Sequence, residues 1–131
     1  MEGAVDLNRI GIDVVSQNRI KASLERHRTA FIARLLTPSE AEYCSGAREV
    51  ERIAGRIAAK EAVMKIIGQG WPNVAWTDIE VLPGEGGRPS VSLTGRAKDF
   101  ADAAGISALD VSITHDAGLA IAVAAGSLRR V

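Results

Sequence analysis

Two acids far apart in the chain, Asp13 and Glu61, and a lysine one helical turn beyond the second, Lys65, are where this sequence has the means to do chemistry. Glu61 and Lys65 fall in G-R-I-A-A-K-E-A-V-M-K-I-I-G-Q-G, residues 55–70, which apart from its charges reads as a buried helix. At about 100° per residue, Ile53, Ile57, Met64 and Ile67 form one apolar face, and Gly55, Ala59, Ala62 and Ile66 form a second face of mostly small residues. Glu61 and Lys65 share a strip between these faces. Arg52 and Arg56 lie on the opposite strip, with Lys60 near its edge. Two accounts are open. In the plain one, Glu61 and Lys65 are a solvated pair worth about 0.2–0.5 kcal/mol. In the sharper one, a carboxylate and several cations are held between packed surfaces because a metal and a polyanion bind there. Magnesium takes one or two carboxylates and completes its shell with water and substrate phosphates, and Asp13 is the candidate second carboxylate.

The glycines of Gly68-Gln69-Gly70 either end the helix and turn the chain, or let backbone amides approach a phosphate or a base. Near the C-terminus, strand alternation puts Val111, Ile113 and His115 on one face and Ser112 and Thr114 on the other. His115 is either a plain turn residue or a donor directed at phosphate oxygens. With Cys44 the only cysteine and His27 the only other histidine, a zinc site is not expected.

These residues need a frame. R-I-G-I-D-V-V, Arg9 to Val15, reads as a buried strand with Asp13 at or near its end. Ser16 to Leu36 is helical, with an interruption around Arg26 to Thr29. Thr37-Pro38-Ser39-Glu40 is a helix start with a capping box, leading to a short helix ending near Ser45. The longest helix runs from about Glu49 to Ile67 and stops at Gly68. Thr77 to Leu82 and Pro89 to Leu93 pair across Gly84-Glu85-Gly86-Gly87, and Thr94 is placed to cap a helix from Arg96 to Ala104. Asp110 to His115 and L-A-I-A-V-A-A form a last hairpin. The expected class is α+β, one long central helix packed against a largely antiparallel sheet.

At 131 residues the chain is expected to be a single domain, residues 1–131. Its 47% apolar and 24% charged residues are those of a globular protein. Sixteen basic and sixteen acidic residues cancel, so recognition of any polyanion must be local. No apolar run is long enough to span a membrane, and Glu2 and Asp6 are unlike the basic start of a targeting segment. A lone cysteine fits a reducing cytoplasm. One basic run does stand out: Arg19, Lys21, Arg26, Arg28 and Arg34 are opposed only by Glu25, as a solvated helix face or as a docking surface.

Taken in order, G-I-D-V-V at 11–15, F-I-A-R-L-L-T-P-S-E at 31–40, G-R-I-A-A-K-E-A at 55–62, G-Q-G at 68–70, D-I-E-V at 78–81, G-R-P at 87–89 and V-S-I-T-H at 111–115 resemble the holo-acyl-carrier-protein synthase family. These are the small single-domain 4′-phosphopantetheinyl transferases, and the resemblance runs from about Ile10 to Ala125. It implies transfer of the phosphopantetheine arm of coenzyme A to a serine of an apo acyl carrier protein, in fatty acid or polyketide synthesis, with release of 3′,5′-ADP. It implies that Asp13 and Glu61 bind magnesium with the coenzyme A pyrophosphate. By the same resemblance Arg56, Lys60, Lys65, the Gly68 to Gly70 turn, Ser112, Thr114 and His115 surround the nucleotide and its phosphates, and Arg19, in the run with Arg26 and Arg28, meets an acidic helix of the carrier. A homotrimer with sites between subunits is implied too. Ala30, where the family often has arginine before the phenylalanine, and the neutral total charge bear on carrier preference more than on chemistry.

The residues agree with that implication, because cleaving a pyrophosphate ester calls for charge neutralisation and in-line positioning more than covalent help. They leave the general base unassigned. A non-catalytic nucleotide-binding scaffold of the same fold is the alternative, and paired acids argue against it. A nucleic-acid binder is disfavoured by 4% aromatic residues and no recognisable motif.

Overall fold

The computed structural model describes residues 8–129. Strand β1 (Asn8–Ser16) leads into helix α1 (Gln17–Leu35), followed by α2 (Pro38–Cys44) and α3 (Glu49–Ile67). A short 3-10 turn, Trp76–Asp78, precedes β2 (Ile79–Pro83) and β3 (Pro89–Leu93); then come α4 (Gly95–Ala103), β4 (Ile106–Asp116) and β5 (Leu119–Leu128). The α+β class is as expected, with an antiparallel three-stranded sheet in the order β1-β5-β4 and a separate antiparallel hairpin of β2 and β3. Two helices, not one, reach 19 residues, although α1 is broken at His27 (φ −145°, ψ 46°), within the charged stretch where an interruption is expected. Glu2 and Asp6 lie outside the described residues.

Local chemistry accounts for the element boundaries. Thr37 and Glu40 form the reciprocal capping box, and Gly68 takes the left-handed conformation (φ 81°) that closes α3. Thr94 departs from expectation: its backbone N–H and its hydroxyl both turn to the Asp78 carbonyl, at 2.9 and 3.5 Å, and α4 begins without a side-chain cap.

Helix α3 is buried without interruption from Ile53 to Lys60, and its small-residue face rests on the three-stranded sheet. The approach is close on both sides. A Cβ on Gly11 of β1 would overlap the Ala62 carbonyl oxygen, and one on Gly126 of β5 would come 2.8 Å from the Ile66 side chain. On the helix, a Cβ at Gly55 would stand 3.1 Å from His115. Arg9 adds a hydrogen bond from Nη1 to the Ile66 carbonyl (3.0 Å), satisfying one of the open acceptors near the end of α3. Because the obstacle at Gly11 is backbone, Gly11→Ala must push β1 away from α3. A loss of about 1–3 kcal/mol is expected in urea unfolding.

Candidate active site

Strand β1 alternates, with Ile10, Ile12 and Val14 facing outward and Gly11, Asp13 and Val15 facing α3. The register that presses Gly11 onto Ala62 therefore carries Asp13, sixth of the nine strand residues and paired with Ala122, to the side of Glu61. Burial first, then the neighbouring Asp13 carboxyl, push the Glu61 carboxyl up to about 7, while Lys65 and Arg19 pull it back. Asp13 has 14% of its side chain exposed, and its Oδ2 is buried with no hydrogen-bond partner. Lys65 does not behave as a simple surface partner of Glu61. Its Nζ donates to the Ile12 carbonyl (2.6 Å) and stands 3.6 Å from Asp13 Oδ1.

An orphaned carboxylate oxygen beside a second carboxyl that resists ionisation is an arrangement short of positive charge, and a divalent cation suits it. No group of three or more His, Cys, Asp or Glu suited to a metal occurs among the described residues. Two oxygen donors of protein origin, with the rest left to water and phosphate, fit a hard ion such as magnesium.

Two clefts open at this point. One, of about 410 Å³, runs from Glu61 and Lys65 along Met64 to the Gly68–Trp71 turn and Trp76. The other, of about 230 Å³, lies between α1 and α3, with Arg19, Ser23, Phe31 and Leu35 on its walls and again Glu61 and Trp76. Trp71 and Trp76 escaped sequence reasoning. The available signal was two tryptophans five residues apart, directly after a glycine turn, in a chain with few aromatics.

The remaining expected site residues lie elsewhere. Lys60 is a correction: its ammonium is fully buried, paired with Glu40 at 2.6 Å and bonded to the Leu35 and Trp76 carbonyls, so no donor is left for a phosphate. Arg56 is also away from the cleft of its own chain, turned about 140° around α3 from Glu61. It is buried over the Tyr43 ring (4.9 Å) with its Nε unpartnered, and Arg52 stacks on the same ring at 4.7 Å. His115 Nε2 sits 3.0 Å from the Glu51 carbonyl and beside Gly55, about 9 Å up the helix axis from Glu61. Ser112 and Thr114 are exposed on the outer sheet face, in register with Ile12, Val14 and Val123. Within one chain, then, Asp13, Glu61, Lys65, Gly68, Gly70 and Arg19 gather, and Arg56, Ser112, Thr114 and His115 do not join them. Of the basic run, Arg26 is exposed, but Arg28 is engaged with Glu49 through two bonds of 2.8 and 2.9 Å.

Paired acids, a lysine and a glycine turn around an open cleft are the equipment of a transferase acting on a phosphate ester. Comparison with known proteins makes the class specific. Residues 9–124 match the model of the 4′-phosphopantetheinyl transferase superfamily. A holo-[acyl-carrier-protein] synthase of Desulforudis audaxviator is 42% identical over 116 residues, 88% of each chain, and one of Gloeobacter violaceus is 41% identical over 124 residues, 93% of this chain and 94% of the other. The crystal structure of the Helicobacter pylori holo-[acyl-carrier-protein] synthase in complex with coenzyme A superposes with a TM-score of 0.81 at 37% identity, covering 91% of this chain and all of that one. The chain belongs to the holo-[acyl-carrier-protein] synthase family of phosphopantetheinyl transferases.

The raised Glu61 value has a testable sign. The folded state holds the proton more tightly than the unfolded chain, with its ordinary value of 4.5, so this stabilising contribution is complete below pH 4.5 and is lost as pH rises through about 7. In chelator, Glu61→Gln is expected to melt higher than the parent at pH 8 and close to it at pH 4. Excess magnesium should narrow the gap at pH 8.

Proposed function

We propose that the chain transfers 4′-phosphopantetheine from coenzyme A to a serine hydroxyl of an apo acyl carrier protein, releasing 3′,5′-ADP, with magnesium held by Asp13 and Glu61. The observation that carries this is the convergence of those two carboxyls, one oxygen orphaned, at the meeting of two clefts. Bound magnesium would neutralise pyrophosphate charge and favour departure of 3′,5′-ADP through its 5′-phosphate as the P–O–P bond breaks. Lys65, anchored on the Ile12 carbonyl, presents a fixed cation beside the same oxygens. The Gly68 to Gly70 turn lets donor groups lie against backbone in the larger cleft. Arg19, exposed at the other cleft, is suited to steer an acidic carrier helix so that its serine enters between α1 and α3. Arg26 extends that surface, whereas Arg28 reaches a carrier only by giving up Glu49.

The second group of cations fits an assembly. The outer sheet face exposes Ile10 (74%), Ile12 (54%), Val14 (53%) and Val123 (40%), an apolar surface in need of cover. In a homotrimer closed through this face, Ser112, Thr114, His115 and Arg56 of one subunit would serve the nucleotide bound at Asp13 and Glu61 of the next. The match over residues 9–124 supports one transferase domain spanning residues 1–131. A cytoplasmic setting suits a chain whose one cysteine, Cys44, is free and buried.

Incubation with apo carrier protein, coenzyme A and magnesium is expected to raise the carrier mass by one phosphopantetheine group; an unchanged mass across several carriers would favour a scaffold role. Arg19→Glu should raise KM for the carrier about tenfold or more and leave KM for coenzyme A nearly unchanged; equal losses would mean the interface is misassigned. Glu61→Gln and His115→Ala should each be inactive alone, and mixed refolding of the two should restore part of the activity, because some sites then receive both intact residues. No recovery on mixing would argue for sites complete within one subunit.

A further inference from the structure

Lys60 precedes Glu61 in sequence and, about 100° around the helix from it, points into the core. Its three protons are matched by three acceptors, the Leu35 carbonyl (2.7 Å), Glu40 Oε1 (2.6 Å) and the Trp76 carbonyl (3.1 Å), the full capacity of an ammonium. Glu40, equally buried, also accepts from the backbone N–H groups of Thr37 (2.9 Å) and Val81 (2.8 Å). One cation thus ties the end of α1, α2, the Trp76 turn and, through Glu40, β2 to helix α3. Burial pushes the Lys60 ammonium down, and Glu40 opposes that shift. Stability alone does not require such a pair, since well-packed apolar residues of similar volume often serve a core as well or better. What an apolar pair lacks is direction, because only hydrogen bonds fix where two carbonyls sit.

Those carbonyls belong to Leu35 and Trp76, whose side chains are walls of the cleft between α1 and α3 that ends at Glu61. Trp76 borders the larger cleft too, so it forms the partition between them. We infer that Lys60 is a positioning residue for the transfer reaction: by holding the backbone of Leu35 and Trp76 against α3 it sets the partition, and with it the line along which the acceptor hydroxyl meets the donor at Glu61. This rests on the reading that the acceptor enters between α1 and α3. Lys60 itself touches neither substrate.

The test is steady-state transfer by the full chain with coenzyme A, magnesium and apo carrier protein, alongside thermal unfolding. Lys60→Met combined with Glu40→Gln removes both buried charges and keeps an acceptor for one of the two amides, Thr37 or Val81, that Glu40 serves with separate oxygens. Its kcat is expected to fall about 10- to 100-fold, as for a small misplacement of reacting groups, with KM for coenzyme A within about twofold of the parent. Trp76→Ala, which removes the wall and leaves the core network in place, should give the same split. All three substitutions together should add little to either, because both act on one wall. Parental kcat in the folded Lys60 variant or in Trp76→Ala overturns the inference. So does an equal loss in coenzyme A binding and turnover, which would mark general loosening. If the Lys60 variant does not fold, Trp76→Ala decides by itself. Failure of the parent chain to modify any carrier would instead refute the proposed function, so the two failures are distinguishable.

Discussion

Everything at this site depends on how closely one strand can lie against one helix. At Gly11 the β1 backbone meets the carbonyl of Ala62 with no room for a side chain between them. Two residues further along the strand and one back along the helix, that approach forces Asp13 and Glu61 together. Like charges do not gather spontaneously in a half-buried setting, and the resistance is visible in the raised Glu61 value and the orphaned Asp13 oxygen. Packing elsewhere, along Gly55, Ala59, Ala62 and Ile66, supplies the free energy that holds the two acids in place. The tension is relieved by whatever positive charge the site takes up, which is how a packing constraint becomes an affinity.

The two lysines of α3 divide the work. Five residues apart, they point in different directions and meet different dielectrics. Lys65 has more than half its side chain exposed and leans over the carboxyl pair, available to a ligand. Lys60 is wholly enclosed and spends every proton on protein acceptors. The same residue type thus stands once as an exposed cation beside the two acids and once as a buried fastener between elements. The remaining cations of α3, Arg52 and Arg56, stack on Tyr43 on the other side of the helix.

Much of the fold was legible because its signals are local. The Thr37–Glu40 capping box, the Gly68 stop, the break near His27 and both hairpins follow from neighbouring residues and need no partner to be recognised. The Thr94 cap failed for a non-local reason, since the Asp78 carbonyl, sixteen residues away, attracted both its amide and its hydroxyl. In the site, Asp13, Glu61, Lys65 and the glycine turn were readable from residue type and spacing. Trp71 and Trp76 were not, because nothing in a tryptophan's immediate neighbours says whether it will fill the core or wall a cleft.

Sequence by itself determined the family, the α+β class and the pair of acids, since motif order, periodicity and residue chemistry are properties of the chain read one residue at a time. Only the tertiary structure decided which charges are available. Lys60 and Lys65 both read from the sequence as cations outside the apolar faces of one helix, and Arg28 and Arg26 as members of one basic run. Burial depends on what other elements bring up against a residue, and Glu40, Glu49 and the Leu35 carbonyl come from distant positions in the chain. Desolvation is set by that surrounding protein, and no spacing rule along the chain contains it.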